Sequence, residues 1–341
     1  MQPFFTDVCA RWQLGSLAEA PEPVSGGYMH KMFRLTTTSG CYAIKLLNPE
    51  VMARPTALDH YRRAEALENL LETNGLPIVP AMRLEGKKLQ KLGERYYYLF
   101  RWVEGKALSG QQITPEHCGI IGGLLAKQHS IMASTGREQG CSQPVPEAQE
   151  ASRPEPFTFD WPILARSAEE SCPAIAPALR QALPLLEEAQ NAYNHALGVL
   201  PELRCICNGD MDPKNVLWQQ GQPLVIDLEC LALGNPIPDL VQLSLIWAGG
   251  DVNRFDRQCF AAFLAAYRRQ AGPQRCDWQA LTGLGYAWLD WLNYSVYRAC
   301  NEMDAALRQT GIEQTLETLE RIRFHRSILP EAAQLFGTAL L

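Results

Sequence analysis

The chain has 341 residues, of which 47% are hydrophobic and 20% charged. That length exceeds what one core usually holds and predicts two lobes, while the composition excludes a largely disordered chain. Lys and Arg total 31 against 37 Asp and Glu, a net charge of −6, which argues against a dedicated nucleic-acid binder, whose footprint is basic.

The start, Met1 to Asp7, has neither a basic n-region nor an apolar h-region, so no signal peptide is expected. No run of about 18 uncharged apolar residues occurs, so no membrane span is expected. Eleven cysteines are scattered from Cys9 to Cys300, which fits free thiols in a reducing cytoplasm. Within Leu203–Cys207, period two puts Cys205 and Cys207 on one strand face. They read as a metal or redox pair or as small buried hydrophobes, and the alternation favours the second.

The first hundred residues predict a small sheet with one inserted helix. Strands are expected at Ala18–Val24, Lys31–Thr36 and Tyr42–Leu47, the last two joined by the turn Thr38-Ser39-Gly40. His60–Thr73 carries Ala64, Leu67, Leu70 and Leu71 at helical spacing, stopped by Asn74-Gly75. Two more strands, Met82–Glu85 and Tyr96–Val103, flank the charged turn Gly86-Lys87-Lys88. After Gly105 helices dominate: one from Thr114 through His129 and one over Pro177–Leu197. Ser134–Pro156, rich in polar residues and proline, reads as an insert or linker. Short strands are expected at Arg204–Cys207 and Leu224–Ile226. Helices follow at Leu240–Gly249, Arg254–Ala271, Trp278–Ala306 and Ile312–Ile328. The pattern is α+β, with an N-terminal lobe over 1–100, a crossing at 101–105 and a C-terminal lobe over 106–341.

The densest polar cluster in an apolar setting is Asn208-Gly-Asp-Met-Asp-Pro-Lys-Asn215, between a strand and the apolar Val216-Leu217-Trp218. A second strand delivers Asp227 and Glu229. Asp210, Asn215 and Asp227 at two strand ends make an oxygen-rich site suited to Mg²⁺, and a remaining carboxylate can orient a hydroxyl nucleophile.

The run Asn208–Asn215 resembles the catalytic loop of the aminoglycoside phosphotransferase and choline kinase family, usually H-x-D-x-x-x-x-N. Ile226-Asp227-Leu228-Glu229 resembles its D-x-[DE] metal segment, and Asp239 the acid that follows it, here expected to cap a helix or brace the loop. Tyr42-Ala43-Ile44-Lys45 resembles the phosphate-holding lysine strand, and Glu65 the helix glutamate that pairs with that lysine, with Glu68 as a substitute. Arg101-Trp-Val103-Glu-Gly105 resembles the hinge whose backbone at Arg101 and Val103 holds adenine. Leu124–His129 resembles the helix ending in Leu-His. The resemblance spans most of the chain. It implies a bilobal protein-kinase-like fold with a small β-rich N-lobe and a larger, mostly helical C-lobe.

The chain departs from the pattern twice. Asn208 replaces the usual His, and the glycine-rich turn is only Ser25-Gly26-Gly27-Tyr28-Met29-His30. Ahead of Lys45, Gly26 and Gly27 are nonetheless the residues whose amides can approach phosphate. The resemblance implies an ATP- or GTP-dependent kinase with Mg²⁺ on Asn215 and Asp227, Lys45 on phosphate, and Asp210 acting on an acceptor hydroxyl. The acceptor is a small molecule, with no nucleic-acid or membrane partner, and the location implied is cytoplasmic. Asp212 and Glu229 are further substrate candidates, Glu229 alternatively for a second metal.

Tyr286, Trp288, Trp291, Tyr294 and Tyr297, with Asp290, Glu302 and Asp304, form an aromatic and acidic set suited to an aminoglycoside, aminosugar or amino alcohol such as choline. Asp290 and Trp291 are its named candidates, and the bland alternative is helical core. A dehalogenase-like phosphohydrolase is disfavoured because Lys214 stands where its D-x-D motif wants Thr or Val. A protein kinase is disfavoured because no D-F-G or A-P-E segment follows Asp227. A catalytically weak nucleotide-binding regulatory module stays as the alternative.

Overall fold

The computed structural model describes residues 2–24, 30–135 and 154–340. Gly26 and Gly27 therefore lie outside the described residues, as does most of the expected insert. In chain order the elements are α1 (Gln2–Trp12), β1 (Glu22–Val24), β2 (Lys31–Thr37), β3 (Gly40–Leu46), α2 (Pro49–Met52) and α3 (Ala57–Thr73). Next come β4 (Gln90–Leu92), β5 (Arg95–Arg101), β6 (Lys106–Ala107), α4 (Pro115–Thr135), α5 (Trp161–Ser171) and α6 (Ala176–Gly198). The rest are β7 (Cys205–Cys207), β8 (Val216–Gln219), β9 (Gln222–Val225), β10 (Ala232–Gly234), α7 (Pro236–Trp247), α8 (Arg257–Ala271), α9 (Trp278–Leu281), α10 (Trp288–Asn301) and α11 (Ala305–Ala339).

The chain divides into two compact units. One combines residues up to Leu108 with Asn208–Ala232, and the other holds the remaining described residues. The segment carrying Asp210 and Asp227 thus packs with the N-terminal strands, whereas the expected division placed it with the C-terminal lobe. Backbone bonds from Val79 N to Val225 O (2.9 Å) and from Val225 N to Pro77 O (2.8 Å) tie β9 to the chain that follows α3.

In the first unit an antiparallel sheet runs β1-β2-β3-β5-β4, and a second runs β6-β8-β9. Period two gives the larger sheet two unlike faces. Phe33, Leu35, Tyr42, Ile44, Leu46, Tyr97 and Leu99 point to one side, where α1 covers them with Phe5, Val8, Cys9 and Trp12. Lys45, one residue from Ile44, takes the opposite side, that of Tyr98, which packs with Tyr61 of α3.

The expected strand Met82–Glu85 is not formed. Glu85 and Gly86 both have positive φ, 52° and 78°, and make a turn so tight that only the bridge Leu84↔Lys87 closes it. The hairpin is β4–β5 instead.

The second unit is built of helices with the short β7–β10 pair. The single helix expected over Trp278–Ala306 is broken by a 3-10 stretch, Thr282–Ala287. There a Cβ on Gly283 would lie 2.4 Å from Ala192 O, so glycine is what lets this backbone approach α6. Helix α4 meets α8 in the same way: a Cβ on Gly122 would lie 2.2 Å from Phe263 O, while one on Gly123 meets nothing within 4 Å. Adjacent glycines are therefore expected to respond with opposite sign. Gly122→Ala should cost about 2–3 kcal/mol, the clash exceeding the helix-propensity gain, and Gly123→Ala should stabilise by about 0.5–1 kcal/mol. Thermal melts of the two variants check this, and equal shifts would contradict the close approach. Among the described residues no helix is long and apolar enough to cross a membrane.

Candidate active site

The loop from Asn208 to Asn215 is fastened through its own main chain. Asn208, buried, accepts the Asp210 N–H on its Oδ1 at 3.0 Å. Asp210 C=O accepts from Asn215 Nδ2 at 2.9 Å, and Asn215 C=O accepts the Ile226 N–H at 2.9 Å. The Asn that replaces the usual His thus still holds the loop. With Nδ2 committed to Asp210, the Oδ1 of Asn215 is left as its acceptor atom.

Asp227, next to Ile226, has φ 60° and ψ 62°. This left-handed conformation is uncommon outside glycine, with Asp among the residues that tolerate it. The turn brings two acids to Lys45, whose Nζ lies 2.7 Å from Asp227 Oδ1 and 2.5 Å from Glu229 Oε2. Asp210, Asn215, Asp227 and Lys45 are therefore linked through one hydrogen-bonded group within the first unit.

The expected Lys45–Glu65 pair is absent. Glu65 Oε1 accepts the Leu89 N–H at 2.7 Å and the Tyr98 hydroxyl at 3.0 Å. Glu68 is no substitute, since it holds Lys88 at 2.9 Å and the Ala81 N–H at 2.8 Å. Each α3 carboxylate already has local donors, and the charge of Lys45 is met by Asp227 and Glu229.

Glu229 is further held by His30. The His30 Nδ1 accepts the Asn48 N–H at 3.0 Å, so in the neutral ring the proton sits on Nε2. That atom lies 3.2 Å from Glu229 Oε1 and 3.2 Å from the Tyr61 hydroxyl. His60 Nε2 lies 3.1 Å from the Glu229 carbonyl oxygen. On the catalytic loop Lys214 stands 3.2 Å from Asp210 Oδ1 and 3.7 Å from Asp212 Oδ2.

These surroundings split the acids electrostatically. Burial pushes the Asp210 carboxyl above its ordinary value, and the opposing pull of Lys214 only partly offsets it. Burial also acts upward on Glu229, but the His30 hydrogen bond and the Lys45 charge outweigh it and hold the carboxyl at about 2. A carboxyl with a folded pKa below its unfolded value of 4.5 stabilises the fold above that value, and the contribution disappears as pH falls toward 2. Glu229→Gln is thus expected to lose about 2 kcal/mol at neutral pH and to show a flatter fall of Tm between pH 5 and 2 than the parent. Parallel Tm–pH curves would refute the assignment.

In the second unit an open cavity of about 440 Å³ is lined by Phe157, Phe159, Tyr193, Asp290 and Glu155, among others. Phe157 stacks on Tyr193 at 4.2 Å and on Phe159 at 5.0 Å between ring centroids. Of the aromatic and acidic set named from sequence, Asp290 lines this cavity. Trp291 does not; it packs against Tyr294 at 5.5 Å. Arg101 and Val103 stand where β5 ends, with Trp102 N–H bonded to Cys41 O at 3.1 Å.

Residues 21–278 match the Phosphotransferase enzyme family (APH). The chain belongs to this family. It is a small-molecule kinase by that membership, and its solved relatives share its protein-kinase-like fold. A spectinomycin phosphotransferase in complex with ADP and spectinomycin superimposes with TM-score 0.65 at 15% identity, covering 90% of this chain and 93% of that one. Amicoumacin kinase, in complex with AMP-PNP and Ca²⁺, gives 0.61 at 12%, covering 95% and 93%. A choline kinase from Cryptosporidium parvum gives 0.57 at 11%, covering 99% of each chain. No curated protein matches the chain by sequence.

In this phosphotransferase the sequence reading missed His30, His60 and Tyr61 as members of the site. His30 lies three residues after Gly27, but nothing local marks it, because its partners Asn48, Tyr61 and Glu229 arrive only with the fold. The two acids of Asp227-Leu-Glu229 were readable. That Glu229 would serve Lys45 was not.

Proposed function

We propose that the chain transfers the γ-phosphate of ATP or GTP to a hydroxyl of a small cationic acceptor, with Mg²⁺. The observation that carries this reading is the hydrogen-bonded group joining Asp210, Asn215, Asp227 and Lys45. Phosphoryl transfer depends on positioning and charge neutralisation more than on a strong base. Asp210 orients the acceptor hydroxyl and takes its proton as the oxygen bonds to the γ-phosphorus and the nucleoside diphosphate leaves. Its burial makes it a better proton acceptor than an exposed carboxylate. Lys45 offers its charge to the phosphates, the amides of Gly26 and Gly27 are further phosphate donors in this reading, and the backbone at Arg101 and Val103 serves the base.

Asn215 Oδ1 and the Asp227 carboxylate are hard oxygen donors that suit Mg²⁺, which when bound neutralises charge on the transferred phosphate. The nucleotide complexes among the similar structures support nucleotide binding. The cationic acceptor is supported by stacked Phe157, Phe159 and Tyr193 beside Asp290 and Glu155, since ring faces and carboxylates both attract cations.

The test is a phosphate-transfer screen with ATP and GTP over aminoglycosides, choline, ethanolamine, macrolides, sugars and homoserine. Transfer to amine or quaternary ammonium acceptors is expected. Transfer confined to neutral acceptors overturns the acceptor class. Nucleotide binding without transfer to any of them would favour a regulatory module.

A further inference from the structure

Cys205 and Cys207 leave the same face of β7, which packs against α4, the helix carrying His129. Both sulfurs and one ring nitrogen of His129 lie within 4.8 Å of one another, and all three residues are buried. The Sγ atoms are 3.7 Å apart. A disulfide would need about 2.05 Å, but two thiolates about 2.3 Å from one tetrahedral Zn²⁺ stand about 3.75 Å apart.

The histidine is oriented as metal-ligating histidines are. Its Nδ1 is bonded to the Tyr267 hydroxyl at 2.8 Å, the outer partner that fixes a ligating ring. Its Nε2 is buried with no hydrogen-bond partner and lies 3.6 Å from Asp239 Oδ2, near the roughly 3.4 Å edge that a nitrogen and an oxygen share on tetrahedral zinc.

We propose that His129, Cys205 and Cys207 bind one Zn²⁺ that joins α4 and β7, its fourth position open toward Asp239 of α7, which borders the ring nitrogen at 3.6 Å. Both thiol protons leave to solvent as two Zn–S bonds form, including the one Cys207 Sγ now donates to Asn235 O at 3.2 Å. The sulfur donors separate this site from the all-oxygen set at Asn215 and Asp227, which suits a hard cation. Its place is structural: the cluster lies wholly in the second compact unit, and every ligand is buried.

The full chain, free of any affinity tag and expressed with zinc in the medium, is expected to retain about one Zn²⁺ per chain by elemental analysis after gel filtration. The double variant Cys205→Ala/Cys207→Ala and the single variant His129→Gln should lose it. Tyr267→Phe, which keeps the ring and removes only the hydroxyl, should weaken zinc about 10–100-fold in chelator competition. Substitution by Co²⁺ should give a thiolate-to-metal charge-transfer band. Trace zinc on folded parent protein overturns the proposal, and so does a full equivalent retained by the double cysteine variant. Should that variant fail to fold, the cobalt spectrum of the parent decides, and absence of the thiolate band overturns it.

Discussion

Replacing Asp210 with Asn is expected to slow phosphate transfer about 10²–10⁴-fold while leaving nucleotide affinity close to that of the parent. The substitution is structurally mild. The bonds that fasten the loop, from the Asp210 N–H to Asn208 Oδ1 and from Asn215 Nδ2 to the Asp210 C=O, use main-chain atoms of residue 210 that Asn retains. What disappears is the carboxylate that accepts the hydroxyl proton. Because burial raises the Asp210 pKa, the parent should show an acid limb above the ordinary carboxylate range, with activity falling as pH drops through it. The variant should lack that limb. Steady-state kinetics across pH, with calorimetric nucleotide titration, measures both. A variant retaining most of the parental kcat would remove Asp210 from the chemistry.

Lys45→Met should lower kcat/KM for the nucleotide by about 10²–10³-fold, the scale of losing one preorganised charge from a phosphoryl site. A stability loss accompanies it. Lys45 is 6% exposed, and its removal leaves Asp227 and Glu229 without their shared cation, so the Glu229 carboxyl should titrate higher than its present value of about 2. The cost is expected near 1–3 kcal/mol. It falls short of that for a fully buried broken pair because the Asp227 side chain is 35% exposed. Lys45→Arg is not expected to restore the rate, since a planar fork cannot take the place of a compact ammonium between two carboxylates. Unchanged nucleotide affinity and rate in Lys45→Met would show that the residue serves the fold alone.

Much of this was legible before any coordinates. Strand β2, paired with the Lys45 strand, alternates in burial, and Asn208–Asn215 carries its chemistry within eight residues, so pattern and motif both reach the site. Helix α1 was equally legible in principle, with Phe5, Val8, Cys9 and Trp12 at i, i+3, i+4 and i+7. The Lys45–Glu65 pair failed for a different reason. Which acid meets Lys45 depends on where Tyr98 and the Leu89 amide lie, and on a left-handed turn at Asp227 that no local propensity announces. The break before α10 had its cause in Gly283, whose need for close approach to α6 is invisible without the partner helix. Long-range contacts, for donors in the first case and for space in the second, decided these two rather than local pattern.

The left-handed backbone at Asp227 has one further consequence. An L-residue held there costs of order 1 kcal/mol or more, and that cost is met once, when the chain folds, by the backbone bonds of Ile226 and Val225 on either side of the hairpin. Its carboxylate is therefore already aimed before any ligand arrives, and cargo binding draws nothing from its own affinity to arrange it.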